Sequence, residues 1–219
     1  MDSGPWAFGW TQLLTLIGFA ITLGIAGFGF RSFERWRRER LEEKKIDVAL
    51  EALALAHESK YVFEVIRNAM SYPHEWKDIP EWPTETQEQR EQRGPYYAIL
   101  TRLDRNRDYF ERLFKLQPRF MALFGPDKEE IFLKCHKARR FIEVSAGMLM
   151  KDVSDRGVWD EARQRRRNQY EADIWEGLGD VHPDLDRVST LLREFQGGIM
   201  GLCEPVAASR TRKGLFKRQ

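Results

Sequence analysis

Residues Trp6 to Phe30 read WAFGWTQLLTLIGFAITLGIAGFGF, and no charged residue interrupts them. As an α-helix this run is about 37 Å long, more than the ~30 Å hydrocarbon core of a bilayer. Trp6 and Trp10 stand at one end, with Phe28, Phe30 and Trp36 near the other. Ring-bearing side chains belong at the two membrane interfaces. The stretch therefore predicts a single transmembrane helix. Before it lies one acid, Asp2, and no Lys or Arg; just after it come Arg31, Arg35, Arg37, Arg38 and Arg40. Positive charge stays on the cytoplasmic side, so the C-terminal part is expected in the cytoplasm and the N-terminus outside. The expected location is the cell inner (plasma) membrane, crossed once.

A cleaved signal peptide is the rival reading, because Gly24-Ile25-Ala26 offers small residues at cleavable spacing. The missing basic leader, the long apolar run and the trailing charge all favour a retained anchor.

One face of the span is lined by Thr11, Thr15, Gly18, Thr22 and Gly29, spaced by three, four or seven. Small and hydroxylated residues let transmembrane helices approach closely and exchange hydrogen bonds. The stripe points to self-association or docking on another membrane protein. A chance pattern is the alternative, since Gly and Thr are common in such spans. The five arginines are placed to meet anionic lipid headgroups.

Beyond the span, Arg31 to Met70 holds no proline and no glycine. It reads as one helix continuing the span. Its first part is polar all round, a pattern that suits a solvated helix with charge pairs one turn apart. From Ile46 two apolar stripes appear: Ile46, Ala49, Leu53 and Ala56, then Leu55, Val62, Ile66 and Ala69. Residues 71–94 carry Pro73, Pro80 and Pro83 and read as a loop of unusual length. Trp76 and Trp82 in it are candidate partner contacts, or else a lid folded back on the domain.

Helical spacing resumes from Pro95 to about Leu116, and Pro118 is expected to interrupt it. Residues 118–125 read as a short apolar turn ending at Gly125. Ile131, Cys135, Ala138, Ile142, Ser145 and Leu149 step by four and three, a bundle seam. A further helix is expected from Val158 to about Leu178, with Trp159 on its apolar side. The last is marked by Leu185, Val188, Leu192, Phe195, Ile199, Leu202 and Val206. No segment alternates like a strand. The expected fold class is all-α: a single N-terminal transmembrane helix continuing into a cytosolic antiparallel helical bundle of about four helices. The expected divisions are an anchor (1–30), a charged juxtamembrane helix (31–45), a bundle (46–208, with loop 71–94) and a basic disordered tail (209–219).

Composition narrows the function. The 219 residues carry a formal net charge of +2 with 32% charged residues. That near-balance argues against specific nucleic-acid binding, which is usually clearly basic. Two distant cysteines, Cys135 and Cys203, make neither a disulfide framework nor a zinc cluster. There is no phosphate-binding glycine loop, no H-E-x-x-H, no G-x-S-x-G and no Glu-x-x-His. A His57/Cys135/His136 cluster is conceivable only if their helices pack together. His74 and His182 read as solvated. Asp180, Asp184 and Asp186 are better read as helix caps than as a cation site. Arg163, Arg165, Arg166 and Arg167 are better read as a solvated face than as an anion site. No catalytic residue, cofactor or metal is expected. The reading is a non-enzymatic membrane-anchored interaction module whose partners are membrane lipid and either its own copies or another membrane protein. The alternative is a membrane-acting effector or stress sensor whose spans cluster and perturb the bilayer.

Overall fold

No proline lies between Trp10 and Ile66 to interrupt the backbone hydrogen bonds, and α1 runs Trp10–Ile66. The computed structural model describes residues 9–154, 160–177 and 183–216, with Thr11, Pro183 and residues 209–216 described by backbone alone. Six α-helices fill them: α1, α2 (Gln87–Arg105), α3 (Arg107–Phe124), α4 (Glu129–Ser154), α5 (Glu161–Ile174) and α6 (Arg187–Phe216). The structure is 87% helical, without strands among the described residues. Short 3-10 turns occupy Pro73–Glu75, Pro126–Lys128 and Pro183–Leu185. The chain divides into two compact units, Met1–Lys45 and Ile46–Gln219.

In the first unit, the helix from Trp10 presents Leu13, Ile17, Phe19, Ile21, Ile25, Phe28 and Phe30 to the outside. This is one helix long and apolar enough to cross a membrane, near the N-terminus. Its apolar 18-residue window has a mean hydropathy of 2.1, and none of it is buried. A core helix of a soluble domain would be mostly covered. Trp6 and Asp2 lie outside the described residues.

The second unit is organised around α4, which packs against α2, α5 and α6. Cys135, Ala138, Ile142, Ser145 and Leu149 are all buried, so the four-three spacing does mark its inward face. Phe63 of α1 meets Phe110 edge-on, and Phe120 and Phe195 both meet Phe132. On α6, Val188, Phe195 and Ile199 are fully covered.

Local expectations change at four places. The first helix stops at Ile66, not Met70. α2 begins at Gln87, well before Pro95, because Thr86 and Gln89 form a reciprocal cap. The Thr86 hydroxyl accepts from the Gln89 N–H, and the Gln89 side chain accepts from the Thr86 N–H. Pro118 lies inside α3 instead of interrupting it. A helical proline frees the carbonyl four residues back; for Pro118 that residue is Phe114, exposed like Pro118 itself, so water can serve the freed group. Gly125 then ends α3 with φ 107°, a conformation that favours glycine. Finally, α6 continues through residues 209–216, part of the expected tail.

Gly157, Val158, Trp159, Leu178 and Gly179 lie outside the described residues, and α5 spans only Glu161–Ile174 between them.

Candidate functional site

In the first unit, Gly18, Gly24, Gly27 and Gly29 have open space where a side chain would stand. The Thr22 hydroxyl donates to the Gly18 carbonyl one turn back, the usual way a helix satisfies threonine in apolar surroundings. Thr15 and Gly29 are exposed, and Thr11 is described by backbone only. The arginines that follow sit on the same exposed helix. Arg35 pairs with Glu39, Arg38 with Glu34 and Arg40 with Glu43, all within one turn. Arg31 and Arg37 are exposed on the same segment, and Arg40 also lies over the Trp36 ring.

Residues 71–86 form a strap secured by arginines from α2. Arg102 donates through Nε and Nη2 to Glu75, and to the Asn68 and Met70 carbonyls at the end of α1. This guanidinium holds the Glu75 carboxyl down at about 2, aided by the Tyr72 N–H and opposed by burial. Arg93, almost fully buried, grips Glu85 with both Nε and Nη2 and donates to the Pro80 carbonyl. Its guanidinium lies 3.8 Å from the centre of the Trp82 ring. Glu85 is likewise held below the usual carboxylate range, chiefly by Arg93. Trp76 packs on Gly94, where a Cβ would come within 2.6 Å of the indole. Both tryptophans are thus half-buried.

Three helix ends converge on a second ionic cluster. Arg67, just beyond α1, is buried. It donates to Asp186 at 2.9 Å, to the Ser189 hydroxyl, and to the carbonyls of Ala172, Asp173 and Trp175. Asp173 is fully buried and accepts from Ser145, Gln169 and Arg187. Asp186 also accepts from the Ser189 N–H in the first turn of α6, so its capping role coexists with an ion pair. Asp184 is exposed, and Asp180 and His182 lie outside the described residues.

The α5 arginines are not one solvated face. Arg163 is buried against Asp152, and Arg167 bonds Glu171 and the Tyr96 hydroxyl; only Arg165 and Arg166 are exposed. A protected guanidinium needs a carboxylate, and Asp152 lies on α4, out of reach of any pattern within α5.

A groove of about 610 Å³ opens on the second unit, lined by α2, α3 and α4. Phe110, Phe114, His136 and Arg139 line it with charged side chains around them. His136 shares a hydrogen bond with Gln117, and burial pushes its pKa down, with Arg139 adding to the effect. The ring is therefore neutral near pH 7.

Chemistry elsewhere is muted. Burial pushes the Cys135 thiol up to about 12 and the Cys203 thiol up to about 11, so neither is a nucleophile. His57 is exposed while Cys135 is buried beside Tyr109, and the structure does not bring His57, Cys135 and His136 together as ligands. Among the described residues no three His, Cys, Asp or Glu side chains are grouped to hold a metal ion. His74 is exposed and stacks on Tyr72.

Comparison with known proteins finds no family model that matches the chain, and neither a curated protein nor a solved structure that matches it.

Proposed function

We propose that this chain is a non-enzymatic, single-pass membrane-anchored interaction module acting at the cytosolic surface of the inner membrane. The observation that carries the reading is the uncovered apolar length of α1. An aqueous helix with that surface aggregates, whereas a bilayer covers it. Arg31, Arg35, Arg37, Arg38 and Arg40 set the orientation and meet anionic headgroups. The second unit is then a cytosolic antiparallel helical bundle that holds a membrane partner or another copy of the chain. Thr11, Thr15, Gly18, Thr22 and Gly29 are the packing face in the bilayer, and Trp76 and Trp82 belong to the partner face. Specific nucleic-acid binding and cofactor chemistry have no place in this reading.

Two measurements test it. Ser3→Cys should react with an impermeant thiol reagent added outside intact cells, and Lys77→Cys should not; both native cysteines are buried and contribute little background. Release of the protein by alkaline carbonate, or a mature chain starting after Ala26, would defeat the anchor. Blue-native electrophoresis and crosslinking in membranes should give a discrete complex. A strictly monomeric protein with no co-purifying partner defeats the interaction role.

The open space at Gly18 and Gly29 supports a second reading, in which the spans cluster and perturb the bilayer as an effector or stress sensor. Gly18→Leu with Thr22→Leu should abolish toxicity on overexpression. Wild-type protein without toxicity, or unchanged toxicity in the double variant, ends that reading.

A further inference from the structure

Among the described residues of the second unit, the fold takes seven arginines wholly or partly out of solvent, and six of them face a carboxylate. Arg67 meets Asp186, Arg90 meets Glu81, Arg93 meets Glu85 and Arg102 meets Glu75; Arg163 and Arg167 meet Asp152. Arg139, half-buried on α4, is the exception among the described residues. Its guanidinium lies 4.7 Å from the centre of the Phe110 ring, and its Nε is buried with no acceptor. A cation withdrawn from water without a counter-charge is costly, and the other six show how this fold ordinarily settles that cost.

Arg139 lines the 610 Å³ groove, so a guanidinium with no carboxylate within ion-pair distance borders a space of ligand size. One wall is Phe110, beneath the guanidinium, and Phe114 stands exposed at the rim, edge-on to His136. Neutral His136 does not compete as a second cation. Of the other cations lining the groove, Arg107 and Lys115 both lie against Glu111, which leaves Arg139 as the anchor. The carboxylates of Asp104 and Glu143 also line the groove and disfavour a second negative charge.

We infer that this groove binds a small monoanion, a carboxylate borne on a flat apolar body, with Arg139 taking the carboxylate and Phe114 packing on the ring. A carboxylate suits the planar guanidinium fork, and ring faces stack on it and on phenylalanine.

The test is calorimetric titration of the full chain in lipid nanodiscs, with protein-free nanodiscs as the blank for partition into lipid. The probe is 2-naphthoate, compared with neutral 2-naphthamide and doubly charged 2-naphthyl phosphate. Saturable one-to-one binding of 2-naphthoate is expected, about tenfold tighter than either comparison probe. Arg139→Gln should weaken 2-naphthoate about tenfold while leaving 2-naphthamide unchanged. Phe114 is exposed, so Phe114→Ala keeps the fold, and it should weaken both naphthoate and naphthamide about threefold. Uptake equal to empty nanodiscs, equal affinity for naphthoate and naphthamide, or naphthoate binding indifferent to Arg139→Gln would each overturn the inference. If Arg139→Gln fails to fold, unchanged naphthoate affinity in Phe114→Ala overturns it alone.

Discussion

Arginine and glutamate recur in both units, yet they do opposite kinds of work. In the first unit Arg35–Glu39, Arg38–Glu34 and Arg40–Glu43 are exposed pairs made within one helical turn. In the second, Arg93–Glu85, Arg102–Glu75 and Arg67–Asp186 are buried pairs that tie separate segments together. An exposed pair gains about 0.2–1 kcal/mol, because water screens the attraction and two long side chains lose freedom. A buried pair is costly to assemble, but removing one partner strands the other charge out of water. The exposed pairs of the first unit stay within one helix; the buried pairs of the second unit decide which segments may lie side by side.

The largest blow to the contrast comes from Arg67→Ala, which strands Asp186 and uncaps three carbonyls. The second unit should lose about 3–5 kcal/mol in chemical denaturation, and a loss under about 1 kcal/mol would show that the buried cluster is ordinary surface chemistry. Acid should reveal the strap next. Both Glu75 and Glu85 have folded pKa values depressed below the ordinary 4.5, Glu75 to about 2. Their contribution is therefore fully present above 4.5 and fades as the pH falls toward 2. Trp fluorescence followed from pH 6 to about pH 2 should report strap release in that window, and Glu75→Gln should flatten the response. Gly94→Ala forces a methyl against Trp76 and should cost about 1–3 kcal/mol, whereas a neutral result would mean the indole readily moves aside. Smallest of all is Arg35→Gln, expected to change thermal stability by less than about 0.5 kcal/mol; a larger change would erase the distinction between the two regions.

What could be read from the chain follows the same division. The long apolar first helix and the α4 seam are local patterns, decided by neighbours three and four residues away. Cys135, Ala138, Ile142 and Ser145 reveal their burial by spacing alone. Arg67 and Asp173 do not, since nothing within a turn of Arg67 announces Asp186. Charged residues default to the surface in any sequence reading, so the ionic clusters and the lone Arg139 became visible only when distant helices were brought together. The start of α2 is legible in Thr86-x-x-Gln89, a capping box, although Pro80, Pro83 and Pro95 flank it with residues a helix interior disfavours. Pro118 sits inside α3, and whether a helix survives a proline depends on which side faces water, which the local sequence does not state.

Arg67 also has a kinetic consequence. Its side chain satisfies the carbonyls at the C-terminal end of α5, while its own carbonyl accepts the N–H of Glu176 just past that end. The last turn of a free helix ordinarily frays with an opening energy near zero. Here the final turns of α1 and α5 are each other's terminators, and a cation stands at the negative end of the α5 dipole. Neither can unwind without releasing the other. Amide protons in the two turns should exchange with solvent at matched rates, as one opening event instead of two.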